Sequence, residues 1–346
     1  MKTYIYTLFT ILISFSAIAQ TTDIVTGISD PKRMLLDDNT LYYATDDTLF
    51  KIDITEATPV PQQVIAGLAG IRGLAIDGNT LYISEFSAGR ISTIDVTDTN
   101  PTRLDFITGL NTPNYLLIDG DFLYYSDPNS SIVERIDITE TTPTRVLVST
   151  SGFNFSPTGL AIQGDILYMA QGIADRVSIV NVADANTSPT NLVTMLNVPL
   201  GIVIDNNQLF IAERFDNKIS VKDLSSSGPF ATDLVTGLDN PFDIAINDTT
   251  IFILENGANK ISKFDRALGI GDFSINNISI SPNPAEDFIK VNMLSETENY
   301  NIYDILGKQI ANGSISPMER LDISDLSGGM YLLKISEKEA VRFIKK

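Results

Sequence analysis

Six polar residues recur along the chain at one place in a repeated pattern, a few residues after an apolar pair. The series is Thr45, Glu85, Asp127, Gln171, Glu213 and Glu255. If the repeats close into a ring, these side chains meet at one face, near the mouth of a central channel. Grouped carboxylate oxygens are ligands that Ca²⁺ prefers. The series therefore indicates one chemistry, the binding of an oxygen-ligated metal ion.

Basic residues five positions further on indicate a different role for the same series. Arg90, Arg176, Lys218 and Lys260 follow Glu85, Gln171, Glu213 and Glu255. This register predicts an acid–base or amide–base pair that fastens a loop within one repeat, and partly exposed pairs of this kind contribute about 0–1 kcal/mol each. A paired carboxylate has less charge to offer a cation. We therefore favour structural pairing and predict no metal ligand, with a calcium site as the alternative.

The residues at the start of each innermost strand vary more than a repeat scaffold requires. They are Lys32, Arg72, Asn114, Thr158, Leu200 and Phe242, followed in turn by Arg33, Gly73, Tyr115, Gly159, Gly201 and Asp243. Phe86, Arg214 and Phe215 flank the same face, and such a mixture suits a carbohydrate or peptide ligand. The predicted binding residues at the channel mouth are Lys32, Arg72, Glu85, Asn114, Asp127, Glu213, Phe242 and Asp243. Unselected surface variation is the alternative interpretation.

The composition restricts the chemistry further. The chain has no histidine, cysteine or tryptophan. It therefore has no Ser-His-Asp triad, thiol nucleophile, disulfide or cysteine-ligated zinc. An enzyme would need carboxylates, lysine, tyrosine or an oxygen-ligated metal. The net charge of −19 argues against nucleic acid and anionic membranes as partners. We predict no catalytic residues, no cofactor and no nucleic-acid partner.

The elements that must position these residues form a sixfold repeat. Its marker is Leu41-Tyr42, Leu81-Tyr82, Leu123-Tyr124, Leu167-Tyr168, Leu209-Phe210 and Ile251-Phe252. The spacings are 40, 42, 44, 42 and 42 residues. Hairpin turns precede several pairs, as at Asp77-Gly78, and two further strands follow each pair. Four strands in about forty residues are typical of one β-propeller blade, so the sequence predicts an all-β, six-bladed propeller.

The ends of the repeat region predict how the ring closes. The sixth repeat has three strands before the segment 267–272. Residues 23–28 (DIVTGI) nearly match residues 233–238 (DLVTGL), which form the fourth strand of the fifth repeat and the following turn. We therefore predict that the N-terminal strand completes the sixth blade.

The repeats resemble NHL-repeat and gluconolactonase-like six-bladed propellers, over residues 22–266. The resemblance lies in a Pro-x-Gly-strand-Asp run, then Leu-Tyr-Ile-Ser/Ala-acid, then Arg/Lys-Ile, best seen in 73–91 and 199–219. Gluconolactonase-like members hold a divalent metal with Glu, Asn and Asp, and Glu85, Asn114 and Asp127 are compatible in type. The resemblance thus implies a calcium-dependent lactonase as an alternative function. Paraoxonase-like chemistry is disfavoured, since it resembles histidine-assisted hydrolysis and this chain has no histidine.

Residues 1–19 read as a signal peptide. Lys2 precedes an apolar stretch, and Ala17-Ile18-Ala19 forms a cleavage site before Gln20. The alternative is a transmembrane anchor, but the apolar run is shorter than the roughly 20 residues that span a bilayer. We predict cleavage between Ala19 and Gln20 and no membrane span afterwards. The propeller would then occupy 20–268, with a linker and tail domain at 269–346.

The tail resembles the type A sorting domain of type IX secretion in Bacteroidota. The blocks are Ser-Pro-Asn-Pro at 281–284, YNIYDILGKQI at 300–310 and LDISDLSGGMYLLKI at 321–335. Read from the residues alone, the tail is a small β-sandwich with strands at 288–293, 300–303 and 330–335 and a turn at 306–308. The resemblance implies that residues 273–346 contact the type IX machinery, and that the protein is secreted or surface-attached by way of the periplasm.

Three functions are consistent with these patterns. The favoured one is a non-catalytic binding or scaffold propeller at the cell surface or outside the cell. A calcium-dependent lactonase or related hydrolase is the second. A structural surface-layer protein without a small ligand is the third.

Overall fold

The computed structural model describes residues 21–150, 156–184, 188–266, 279–281, 283–292, 294, 297–304, 308–317, 319–335 and 341–346. The predicted signal peptide, its cleavage site at Ala19 and Gln20, and the segment 267–278 lie outside these residues. The chain divides into two compact units that meet in sequence at Gly269 and Ile270. In the described ranges, no helix is long and apolar enough to cross a membrane.

The first unit consists of β-strands and two short 3-10 helices, Phe86–Ala88 and Gly172–Ala174. In chain order the strands are β1 (Thr22–Thr26), β2 (Arg33–Asp37), β3 (Thr40–Ala44), β4 (Thr48–Asp53), β5 (Gln62–Ala66), β6 (Ile71–Asp77), β7 (Thr80–Glu85), β8 (Arg90–Asp95), β9 (Leu104–Thr108), β10 (Leu116–Asp119), β11 (Phe122–Asp127), β12 (Ile132–Asp137), β13 (Arg145–Thr150), β14 (Pro157–Gln163), β15 (Ile166–Gln171), β16 (Arg176–Asn181), β17 (Thr190–Val193), β18 (Pro199–Asp205), β19 (Gln208–Glu213), β20 (Lys218–Asp223), β21 (Thr232–Thr236), β22 (Pro241–Ile246), β23 (Thr250–Glu255) and β24 (Lys260–Asp265). They form six four-stranded sheets: β2–β5, β6–β9, β10–β13, β14–β17, β18–β21, and β22–β24 with β1. These sheets are blades 1 to 6 below.

The blades form a closed ring around the inner strands. β2, β6, β10, β14, β18 and β22 each contact the next, and β22 contacts β2. The predicted all-β propeller fold is confirmed. Neighbouring blades bury one apolar cluster at each of the six junctions.

Strand periodicity explains why the apolar pair recurs. Successive side chains of a strand point to opposite faces. Tyr42 packs into the junction with blade 2, whereas Leu41 and Tyr43 pack into the junction with blade 6. Tyr124 and Tyr125 divide in the same way between blades 4 and 2. The second strand of a blade therefore needs consecutive apolar residues, because both of its faces are buried.

The N-terminal strand closes the ring, as predicted. β1 pairs antiparallel with β24, with Thr22 opposite Lys263 and Thr26 opposite Lys260. The backbone N–H of Ile28 donates to Asn259 O at 2.9 Å, and the Val25 side chain is buried. This pairing covers the free edge of β24, which would otherwise present unpaired backbone groups.

The second unit holds two sheets around one apolar core. Its strands are β25 (Ser279–Ser281), β26 (Phe288–Asn292), β27 (Glu298–Asp304), β28 (Gln309–Ile315), β29 (Arg320–Asp322), β30 (Gly329–Ile335) and β31 (Val341–Lys345). The sheet orders are β25-β26-β29 and β28-β27-β30-β31. Ile289 and Val291 from one sheet and Ile302, Leu333 and Phe343 from the other share this core. The three predicted strands are present, and residues 306 and 307 of the predicted turn lie outside the described residues.

Candidate functional site

The carboxylate of Glu85 is buried at the end of β7 and is saturated with donors. It accepts hydrogen bonds from Arg90 Nε at 2.8 Å and Nη2 at 2.7 Å, from Ser92 Oγ at 2.7 Å, and from the backbone N–H of Ala69 at 3.0 Å. Ala69 belongs to the loop that arrives from blade 1. Glu85 therefore fastens β7, β8 and the incoming loop together, and we call this arrangement a latch.

The latch recurs in other blades with the same kinds of donor. Glu213 accepts from Ser220 and from Asn197 N–H, and lies 3.5 Å from Lys218 Nζ. Glu255 accepts in the same way from Ser262 and Asp239 N–H, and lies 3.4 Å from Lys260 Nζ. In blade 3, Asp127 accepts from the backbone N–H groups of Thr112 and Ser130 and from the Thr112 hydroxyl. In blade 4, Gln171 accepts from Arg176.

These contacts contain the predicted pairing and show that the acids are bonded within the protein. Glu85, Asp127 and Glu213 were expected near the channel mouth. Their side chains are buried, and each accepts a hydrogen bond from a backbone N–H of the loop that arrives from the preceding blade. Their oxygens are engaged by the protein's own donors.

Electrostatics keep the Glu85 latch charged. Burial by itself would raise the pKa of Glu85, but the hydrogen bonds from Arg90, Ser92 and Ala69 N–H outweigh that effect and lower the pKa. The carboxylate is therefore an internal anion that stabilises the blade at neutral pH.

An ion pair lies between the inner strands at the end where these strands begin. Arg33 of blade 1 is 4 % exposed and Asp243 of blade 6 is fully buried, and Arg33 Nη1 lies 3.3 Å from Asp243 Oδ1. Arg33 Nε donates to Arg72 O at 2.6 Å and Nη2 donates to Asn114 Oδ1 at 3.4 Å. Its guanidinium stacks over Tyr115, 4.1 Å from the ring centroid. One side chain thus connects blades 1, 2, 3 and 6, and we call this cluster the axial plug.

The plug needs space that small residues on other blades provide. A Cβ atom on Gly201 would lie 2.5 Å from Asp243 Oδ1, a distance that side chains do not tolerate. Burial raises the pKa of Asp243 although Arg33 and the N–H of Met34 oppose the shift. Burial also raises the pKa of Tyr115, and the nearby Asp243 charge adds to that effect. Asp243 was predicted as a ligand-binding residue, and it serves here as the internal counter-ion of Arg33.

A cavity of about 310 Å³ follows the propeller axis. Aliphatic residues of all six inner strands line it, together with Tyr115 from the axial plug. Within the described ranges, no group of three or more histidine, cysteine, aspartate or glutamate residues could hold a metal ion. Glu85, Asn114 and Asp127, the trio compatible with gluconolactonase-like metal ligation, each bond to different partners.

Other predicted binding residues surround the plug on one face, which we call the mouth face. Lys32 Nζ lies 2.6 Å from Asp30 Oδ1, and Arg72 Nη1 lies 2.7 Å from Asp46 Oδ1. Phe242 precedes Asp243, and the guanidinium of Arg214 lies 5.8 Å from the Phe242 ring centroid. The Arg214 guanidinium also lies 5.1 Å from the Phe215 ring centroid. Arg72 and Asn114 thus bond to Arg33 of the plug, and Lys32 and Phe242 directly precede Arg33 and Asp243.

Sequence reasoning missed the role of Arg33. A usable signal was present, because Arg33 and Asp243 occupy the same repeat position in the first and last blades, and ring closure makes those blades neighbours.

Comparisons with known proteins identify the tail. Residues 279–346 match the family described as the secretion system C-terminal sorting domain. The predicted sorting domain is therefore confirmed, and the chain is exported by type IX secretion to the cell surface or the surroundings. This domain implies contact with the type IX machinery. No curated protein matches the sequence.

Solved structures resemble the chain at the level of the fold. A catalytically inactive virginiamycin B lyase from Staphylococcus aureus with quinupristin is 14% identical, with a TM-score of 0.52, and the match covers 69% of this chain and 82% of that one. A streptogramin B lyase is 12% identical, with a TM-score of 0.51 and coverage of 67% and 78%. PorZ, a type IX surface component of Porphyromonas gingivalis, is 15% identical, with a TM-score of 0.48 and coverage of 92% and 51%. At these identities the likeness to the two lyases shows the propeller fold alone.

Proposed function

We propose that this exported chain is a non-catalytic binding module whose mouth face binds an anionic group of a carbohydrate or peptide. The distribution of charge supports this proposal. The chain carries a net charge of −19, and of the basic residues on the mouth face Lys32 and Arg72 are already paired with Asp30 and Asp46. Arg214 is the basic residue of this face that has no carboxylate in ion-pair range within the described residues, so an anion of a ligand can pair with it.

The environment of Arg214 is the observation that carries the proposal. Its guanidinium lies 5.1 Å from the ring centroid of Phe215 and 5.8 Å from that of Phe242. Within the described part of the chain, Arg214 has no carboxylate within ion-pair distance, and its Nε is buried without a protein hydrogen-bond partner. A guanidinium held by aromatic rings presents its donors in a fixed plane, which suits bidentate recognition of a carboxylate, sulfate or phosphate.

The proposal is tested by binding to glycan and peptide arrays with the full chain. Wild-type protein is expected to bind anionic probes, and Arg214→Gln and Phe242→Ala are each expected to weaken that binding at least tenfold. Lys263→Gln serves as a control that removes one cation elsewhere, on β24. Equal binding by wild type and Arg214→Gln would contradict the proposed role of the mouth face.

Calcium titration separates this proposal from the lactonase alternative, which draws on the acidic series. Because the latches already occupy those carboxylates, we expect the melting temperature to be the same with calcium and with a chelator. A calcium-dependent rise of several degrees that Glu85→Gln or Asp127→Asn abolishes would favour the hydrolase, and lactone hydrolysis would then be measured.

A further inference from the structure

The loop between β17 and β18 departs from its counterparts in the other blades. After the last strand, glycine holds the same position at the other junctions that the structure describes there: Gly27, Gly67, Gly109 and Gly237. Their φ angles are 74°, 79°, 74° and 77°, and Met195 takes this position with φ 63°. The backbone has kept the left-handed conformation although the residue has a side chain. A non-glycine residue in this conformation destabilises the folded state by about 1–3 kcal/mol.

A second residue of the same loop is strained as well. Val198 has φ 52°, where the corresponding residues Asp30, Gly70 and Asn240 have φ 51°, 75° and 50°. Asp, Gly and Asn tolerate the left-handed region, whereas a β-branched residue there is an outlier. The backbone N–H of Val198 donates to Asp175 Oδ1 at 3.0 Å. The loop is thus held in a conformation that its own residues disfavour.

The strained loop and the two loops beside it expose large apolar side chains. Met195 is 82 % exposed, Ile173 in the preceding loop of blade 4 is 73 % exposed, and Phe215 in blade 5 is 56 % exposed. Hydrogen bonds join the three loops, from Leu196 N–H to Asp175 O at 3.1 Å and from Phe215 N–H to Asn197 O at 3.4 Å. We call Ile173, Met195 and Phe215 the blade 4/5 patch. Grouped exposed apolar residues mark interaction sites, and here they lie on neighbouring hydrogen-bonded loops, one of which is strained.

The latch of blade 4, beside this patch, contains a basic residue but neither of the two acids found in other blades. In blades 2, 5 and 6 the base is near two carboxylates, one at the end of the second strand and one in the outermost strand: Glu85 and Asp105, Glu213 and Asp233, Glu255 and Asp23. In blade 4 these positions are Gln171 and Asn191, and register confirms the equivalence, since Asn191 pairs with Ser178 as Asp105 pairs with Ser92. Arg176 therefore bonds to an amide and, within the described residues, has no carboxylate in ion-pair range.

We propose that the blade 4/5 patch is the docking site for a peptide segment that carries large apolar side chains beside aspartate or glutamate. The apolar side chains would cover Ile173, Met195 and Phe215, and the carboxylates would pair with Arg176 and Arg214. Charge complementarity selects this occupant, because Arg176 bonds to an amide and Arg214 Nε has no hydrogen-bond partner within the described residues, so a carboxylate of the peptide would supply a counter-ion for each. The inference rests on the proposed function and names the peptide as its ligand class.

Peptide display against the full chain tests the proposal. Selection is expected to enrich sequences that combine large apolar residues with Asp or Glu. Binding of a selected synthetic peptide is then measured by fluorescence polarisation with variants. Met195→Gly is expected to melt at an equal or higher temperature than wild type, because it relieves strain, and yet to bind at least tenfold more weakly. Gln171→Glu, which restores a carboxylate beside Arg176, is expected to weaken binding several-fold.

Matched controls distinguish the patch from exposed apolar residues in general. Phe215→Ser is expected to weaken binding at least tenfold, whereas Phe230→Ser, at a residue that is 61 % exposed in the loop after β20, leaves it unchanged. Enrichment of basic peptides, or full binding by Met195→Gly, would overturn the inference. If binding depends on Arg214 and Phe242 but not on Met195 or Gln171, the inference fails and the proposed function stands. If arrays and selection yield no ligand, both fail.

Discussion

Replacing Glu85 by glutamine tests the latch directly, because blade 4 already has glutamine at this position. The variant keeps the size of the side chain and removes its charge. An amide oxygen can still accept from Ser92 or Ala69 N–H, but the new NH₂ group opposes a donor of Arg90, which now lies 2.7 Å from a carboxylate oxygen. A hydrogen bond to a charged group contributes about 1.5–3 kcal/mol. Because Arg90 is partly exposed, we expect a loss of about 2 kcal/mol, near the lower end.

Calorimetry of the full chain, following the propeller transition, measures this loss. For a domain of this size each kcal/mol lowers the melting temperature by about 2–4 °C, so the expected decrease is about 4–8 °C. Asp30→Asn, at an exposed pair with Lys32, is the matched control and should change stability by less than about 1 kcal/mol. Adding Arg90→Gln to Glu85→Gln should lower the free energy of unfolding little further, since the ion pair between residues 85 and 90 is already absent.

The pH dependence of the same variant gives a second, independent outcome. The folded-state pKa of Glu85 is lowered, so its contribution is present above the unfolded-state pKa and is lost as the pH falls through the folded-state pKa. The difference between wild type and Glu85→Gln should therefore shrink on acidification below about pH 4. A difference under about 0.5 kcal/mol at pH 7, or one that does not shrink with acid, would refute the latch as an ionic device.

Three further predictions concern the plug, the ring and the tail. Arg33→Met leaves the Asp243 carboxylate buried without its cation and should cost about 3 kcal/mol or more. Adding Asp243→Asn should recover most of that loss by calorimetry, and a double variant no more stable than Arg33→Met would contradict the ion pair. Deleting residues 21–28 exposes the edge of β24 and should make the propeller sensitive to protease under conditions that leave the wild type intact. Deleting residues 279–346 should leave the protein in the periplasm by cell fractionation, with an unchanged propeller transition.

Much of the fold was predictable because it depends on local periodicity. A propeller strand buried on both faces needs consecutive apolar residues, and Leu81-Tyr82 or Leu123-Tyr124 supply them at each repeat. The likeness of residues 23–28 to 233–238 was enough to predict ring closure, because equivalent strands have equivalent sequences. The tail was predictable from its three blocks.

The site was less predictable, since its residues come from different blades and come into contact only when the blades pack into a ring. The acid of each latch was visible in the sequence, and its base in most, but the backbone donors that bury Glu85 and Glu213 come from the loop of the preceding blade. The substitution of Met195 for a repeat glycine is also visible in the sequence. Only the backbone angle shows that the loop kept its strained conformation and left the side chain exposed.

The sequence by itself therefore determined the strands, their number per repeat, the closing strand and the exported class of protein, because these follow from side-chain alternation and recurring motifs. Tertiary structure decided which charges are neutralised and which are available. Arg33 and Asp243 are about two hundred residues apart and pair only because the last blade packs against the first. Burial and partner geometry set the state of such groups, and both arise only when the ring is closed.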